Sequence, residues 1–252
     1  MRLFCILLAV FVLQACTPPE KIRPRKSSKG YGYINLIEQR KGQFESAAYL
    51  IDLRIKDNKQ KFSITTEVYF SGDSIAFYGR GYLGKGAFKG NIINDVVTIF
   101  FKSSDEYYRN SIGGLNSGIE CARPGEVLLY VLSLLTGRGN LDLEDKPVGL
   151  EMRKQRIEYL DGRFTHTIKL KDSIYPRREI LLDPLCKDSI VVNYGSFGRK
   201  FPFYRTEDIL YYNGEYNFRA KGFVREQKFN INIRQSKFQL NIPSSATLLD
   251  RI

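Results

Sequence analysis

Past residue 45 the hydrophobic positions recur every second residue, in short runs broken by Gly, Asn, Asp and Lys. The clearest run sends Phe62, Ile64, Thr66, Val68 and Phe70 one way and Lys61, Ser63, Thr65, Glu67 and Tyr69 the other. That period of two is a strand with one buried face. Before it, Tyr49, Ile51, Leu53 and Ile55 alternate with Ala48, Leu50 and Asp52, and Asp57-Asn58-Lys59 supplies a hairpin turn. Strands are predicted next at 74–82, 88–92 and 96–102. After residue 154 they resume at 156–160, 164–171, 178–183, 189–194, 203–212, 216–224, 228–234 and 238–241, several of them separated by Asp161-Gly162 and Asn213-Gly214. With no internal repeat and no second domain boundary, about twelve short strands predict one curved antiparallel sheet or barrel.

Two segments keep a helical pattern instead. Within Tyr31 to Gly42, Tyr33, Ile34 and Ile37 share one helical face. Arg123 to Gly137, RPGEVLLYVLSLLTG, opens with Pro124 at the first helical position and Glu126 in the first turn, and stops at Gly137. Only Ser133 is polar between Val127 and Leu135, so this helix is buried or sits in an apolar groove. It is too short to cross a bilayer. The glycine-rich stretches Gly79 to Gly90 and Gly113 to Gly118 lack the strand-to-helix and Lys-Ser/Thr context of phosphate loops and read as turns.

The first residues bear on the compartment. Met1-Arg2, an apolar run from Leu3 to Leu13 and a small residue before a cysteine form a signal sequence over 1–15. Leu13-Gln14-Ala15-Cys16 resembles the lipobox of bacterial lipoproteins, which implies that Cys16 becomes the acylated mature N-terminus. At about 0.8 kcal/mol per buried CH₂, two or three acyl chains hold a protein on a membrane where one does not. Thr17, rather than Asp, implies passage to the outer membrane. Residues 16–30 are Pro-rich and basic, a flexible tether, and 31–252 form the folded domain.

A formal charge of +12 suits a polyanionic partner. Lys and Arg are scattered, and no recognition helix, zinc spacing or RNP-type sequence accompanies them, so an anionic membrane surface is favoured over nucleic acid. Of four cysteines, Cys5 leaves with the signal and Cys16 is acylated. Cys121 and Cys186 remain, either paired in an oxidising compartment or separately buried as thiols.

His166, the only histidine, lies on the Phe164, Ile168 and Leu170 face of its strand. Without a second His it implies neither a metal site nor a convincing Ser/His or Cys/His set, and it reads as a core or cavity-lining imidazole. The chain is read as a non-enzyme without cofactor beyond the acyl groups at Cys16.

The order of parts resembles the LolA/LolB superfamily of periplasmic lipoprotein carriers and receptors. Those parts are a lipobox, a short helix, a curling meander, an apolar helix, a further meander, then Phe238-Gln239-Leu240-Asn241-Ile242-Pro243 and Ser244 to Leu248. The resemblance implies an α+β, mainly β fold: an unclosed β-barrel of about 11–12 strands with helices capping its concave face. It implies acyl chains in that cavity, and the apolar helix offers Leu128, Leu129, Val131, Leu132 and Leu135 as candidate lid or lining residues. It also implies a membrane-touching loop, here at Leu83 and Phe88. On the residues alone, the apolar helix is either permanent core or a movable lid. The function read is an outer-membrane lipoprotein facing the periplasm that binds or relays acylated lipids or proteins. The alternative is a scaffold for an envelope protein partner, with a hydrolase the third possibility.

Overall fold

The computed structural model describes residues 31–56, 61–81, 86–116, 125, 127–128, 130–132, 148–153, 155–161, 164–172, 175–197, 204–214 and 217–250. The signal sequence, Cys16, the tether, Leu83, Cys121, Leu129 and Leu135 lie outside them. The chain starts as helix α1 (Tyr31–Gln43) and then builds β1 (Ser46–Lys56), β2 (Lys61–Ser71), β3 (Ser74–Arg80), β4 (Gly86–Ile93), β5 (Val96–Phe101) and β6 (Glu106–Ser111). After a helical stretch within 125–132 come β7 (Val148–Arg153), β8 (Arg156–Asp161), β9 (Phe164–Lys171), β10 (Tyr175–Asp183), β11 (Asp188–Phe197), β12 (Tyr204–Asn213), β13 (Phe218–Phe229) and the short β14 (Thr247–Leu249).

All fourteen strands form one sheet in the order β14-β6-β5-β4-β3-β2-β1-β13-β12-β11-β10-β9-β8-β7, and it does not close. The first meander runs outward from the centre to one edge, the chain crosses to the far edge, and the second meander returns. The two meet where β1 pairs β13. The unclosed, mainly β sheet agrees with the expected fold class, with two more strands than expected.

Several boundaries differ from the sequence expectation for physical reasons. The segment at 216–224 runs on without a break to Phe229 as one strand, because a bulge opposite Leu50/Ile51 absorbs Arg225 and lets charged residues face outward while Val224 and Phe229 stay buried, and the rest of the strand expected at 228–234 is extended chain outside the sheet. Strands β6 and β7 carry too little alternation to be seen. The expected strand at 238–241 is instead the end of a 3-10 turn, Gln235–Phe238, followed by extended chain.

The glycines of 79–90 are not all turn residues: Gly79, Gly86 and Gly90 lie in β3 and β4. A Cβ on Gly79 would stand 2.3 Å from the Phe88 ring, and one on Gly90 the same distance from Phe77. Each Phe thus lies over its cross-strand glycine, Gly79 opposite Phe88 and Phe77 opposite Gly90, and the two rings meet edge to face with centroids 6.2 Å apart.

Cross-strand register sorts the side chains into two faces. The inner face carries Phe70, Ile92 and Val97 in one row and Val68, Phe77 and Ile99 in the next. In the second meander it carries Ile157, Ile168, Leu181, Ile190, Val192 and Ile209. On the outer face of the first meander the chain after β13 forms a strap. Phe238 is buried there, Asn91 Nδ2 donates to Phe238 O at 2.8 Å, Tyr78 Oη donates to Lys237 O, and Lys89 Nζ donates to Asn241 O at 2.7 Å. Parallel pairing of β14 then covers the β6 edge.

Lys237 anchors the strap between two tyrosines, donating to Tyr69 Oη at 3.1 Å with its ammonium 4.5 Å from that ring. Burial raises the Tyr69 and Tyr78 pKa values. Burial by itself would lower that of Lys237, but its hydrogen bond to Tyr69 and the attraction of Tyr69, Glu67 and Tyr78 outweigh it and raise the pKa. All three folded pKa values are raised, so their contribution is complete below the unfolded values, about 10, and fades as pH rises through the folded ones. Hydrogen exchange of residues 230–249 is therefore expected to accelerate selectively above about pH 10. Phe238→Ala is expected to cost about 3 kcal/mol in urea unfolding.

Candidate functional site

A lone sheet with an apolar inner face needs a cover, and helices provide it here. α1 buries Tyr33, Ile34, Leu36 and Ile37 in the core, although its overall sequence is polar. Phe44, just beyond it, meets Phe229 edge to face at 6.4 Å. The apolar segment expected to be helical is helical at each described residue of 125–132. Leu132 is buried in the core, Val127, Leu128 and Val131 pack against it, and the Tyr130 ring meets Phe164 edge to face at 4.8 Å.

Beneath α1 the inner face holds a polar cluster. Tyr33 Oη donates to Glu179 Oε1 at 2.6 Å, and His166 Nε2 lies 3.4 Å from Glu179 Oε2. Both His166 and Glu179 are only 1% exposed, and the Tyr159 ring is tilted against the imidazole at 4.6 Å. Each of these side chains comes from a different element: α1, β10, β9 and β8. The cluster is a clasp: a buried hydrogen bond to the Glu179 carboxyl holds the helix at one position on an otherwise slippery apolar surface.

His166 thus points inward as its strand face implied. Its partner Glu179 was not legible, because Arg177-Arg178-Glu179 reads as a solvated charge run. The available signal was periodicity, since Glu179 shares its face with Leu181. Among the described residues no group of three His, Cys, Asp or Glu is placed to hold a metal ion.

The covered part of the inner face does not extend to its end. Toward the end where β1 finishes and β2 begins, the inner face continues apolar, but its side chains are half-buried or exposed. Ile55 pairs with Phe62, which is 41% exposed, Leu53 pairs with Ile64, and Phe88 pairs with Phe101. None of these belongs to the core cluster or packs on it, whereas Phe77, half-buried beside them, does. This band is an apolar mouth, and it is the site reached from the residues upward. Phe88, expected in a membrane-touching loop, lies in β4 with its ring over Gly79.

At the same end, the β10–β11 turn is firmly built. Asp183 Oδ1 accepts from the Leu185 and Cys186 amides at 3.0 and 3.2 Å, and Cys186 is disulfide-bonded to a partner outside the described residues.

A DUF1329 family protein from Desulfovibrio piger superposes with a TM-score of 0.53 at 9% identity, covering 83% of this chain and 96% of that one. The two share a fold. A putative outer membrane lipoprotein-sorting protein domain from Vibrio parahaemolyticus gives 0.49 at 9% identity over 83% and 97% of the two chains. A LolA superfamily protein from Nitrosomonas europaea gives 0.47 at 10% identity over 82% and 97%. At these identities the likeness concerns the fold. No protein-family model matches the sequence, and no curated protein matches it.

Breaking the clasp from one side leaves a carboxylate buried with one partner fewer. Tyr33→Phe is expected to destabilise the fold by about 2 kcal/mol in urea unfolding. Tyr33→Phe combined with Glu179→Leu is expected to cost less than the sum of the two single changes.

Proposed function

We propose that this chain is a non-catalytic carrier or receptor that takes acyl chains of lipids or acylated proteins into the apolar mouth. The observation that carries the reading is the continuation of the apolar inner face beyond the core, through Phe62, Ile64 and Phe88, where the side chains remain half-open. Contiguous exposed apolar surface on a folded protein marks a binding surface more often than not. The helix at 125–132, whose Leu132 is in the core with Leu128 and Val131 packed against it, serves as lid in this reading, and Leu129 and Leu135 are kept as lid residues from the sequence. In this reading Cys186 pairs with Cys121, which staples the start of that helix to the β10–β11 turn.

The lipobox at 13–16 supports acylation at Cys16 and residence on the outer membrane facing the periplasm, with Leu83 in a loop near the bilayer. No cofactor enters. The enclosure of His166 and Glu179 under α1 supports a positioning role over a catalytic one, since neither side chain reaches solvent. A scaffold function for an envelope protein partner is the second reading, favoured by one observation: α1 packs as ordinary core, with Leu36 fully buried.

A fluorescent fatty-acyl probe separates the two. Phe62→Asp and Ile64→Asp, both at partly exposed positions, are expected to weaken probe binding tenfold or more while changing the unfolding midpoint little. Leu132→Asp is expected to alter binding as well. Absence of probe binding by the unmodified protein, or binding indifferent to all three changes, would contradict the carrier and favour the scaffold.

A further inference from the structure

The outer face carries a row of side chains that the sequence order hides. Register places Leu160 opposite Thr165, Thr165 opposite Leu182, Leu182 opposite Ser189 and Ser189 opposite Tyr212. It continues with Tyr212 opposite Arg219, Arg219 opposite Lys56 and Lys56 opposite Lys61. Directly opposed residues of an antiparallel pair point to the same side, so this is one line crossing eight strands, β8 to β13 and then β1 and β2, at the mouth end. Along its first half the exposed Leu160 (46%), Leu182 (45%) and Tyr212 (38%) alternate with the half-buried Thr165 and Ser189, and its second half is three exposed cations, Arg219, Lys56 and Lys61.

The β10–β11 turn extends the line beyond the sheet. Leu185 at its tip is 86% exposed, Lys187 beside it is exposed, and Gly214 N donates to Lys187 O at 3.1 Å, tying this turn to the β12–β13 turn. The neighbouring carboxylates do not offset the charge. Asp183 is buried and accepts from the turn amides, while Asp188 is buried and accepts from Tyr211 Oη at 3.2 Å and from Asn213 Nδ2. The acidic turn residues Glu45, Asp73, Asp95 and Asp172 stand at the opposite end, exposed.

We infer that this strip docks on the surface of a bilayer containing anionic phospholipid, with Leu160, Leu182 and Leu185 entering the headgroup boundary and Arg219, Lys56, Lys61 and Lys187 lying on the phosphates. Leucines with a tyrosine at the polar boundary and a flank of Lys and Arg are the composition that partitions into a membrane interface. The pose is set by the strip itself, exposed leucines beside Arg219, Lys56, Lys61 and Lys187, because the opposite end carries charges of both signs, with Arg153, Arg156 and Lys171 exposed among its acidic turn residues. Docking in this pose brings the apolar mouth to the bilayer, although the strip stands on its own exposure and charge whether or not the mouth takes acyl chains.

The chain contains no Trp, so one introduced Trp is an unambiguous reporter. The full-length chain carrying Leu185→Trp, and separately Ile93→Trp at the opposite end, is reconstituted with phosphatidylglycerol-containing vesicles bearing brominated acyl chains. Quenching of Leu185→Trp is expected to exceed that of Ile93→Trp several-fold, and Leu182→Trp to follow Leu185→Trp. Adding Lys56→Glu and Arg219→Glu is expected to weaken that quenching by about 5-fold per charge. Equal quenching at both ends, or quenching insensitive to salt and to the charge reversals, would overturn the inference. So would unquenched Trp at position 185 together with protection of the strip by an acidic protein. Acyl-probe binding is read separately and stands or falls independently of this result.

Discussion

Everything in this fold depends on covering one apolar sheet face without a second sheet. Fourteen strands leave their inner side chains on one continuous surface, and helices of modest length meet it. α1 is polar overall and would not be expected to hold such a surface by burial alone. Its place is fixed by the Tyr33–Glu179 hydrogen bond, with His166 and Tyr159 packed around the same carboxylate. Burying an ionisable group under a helix costs stability unless it is well partnered. What the arrangement gives in return is a defined seat on a surface that otherwise offers no direction.

The division of the inner face follows from the two meanders. The second contributes the floor under α1 and the helix at 125–132, while the first contributes both buried floor and the half-open mouth. Phe77 and Phe88 flatten over Gly90 and Gly79, which leaves depth above the first meander that larger residues at those glycines would remove. On the outer side the strap through Phe238 and Lys237 stiffens the same meander and β14 closes its edge.

Much of this was legible in the residues. The alternation in Phe62 to Phe70 put the correct side chains inside, Tyr33, Ile34 and Ile37 marked the buried face of α1, and His166 pointed inward as its neighbours implied. What was hidden is what only register decides. The strand through Arg225 looked interrupted because a bulge sets its charges outward, and Glu179 looked exposed because charged neighbours surround it. The line from Leu160 to Lys61 joins residues from eight strands and has no counterpart in sequence order. Cys186 is bonded, but its partner and the acylation of Cys16 concern residues outside those described.

The most direct test of the mouth as an acyl-chain site is intermolecular NOE spectroscopy with a labelled fatty-acyl ligand. Contacts from its methylene protons to Phe62, Ile64 and Phe88 are expected, with resonances of α1 unchanged in chemical shift. An acyl ligand that shows no contact with these three side chains would contradict the reading of the mouth as the binding site.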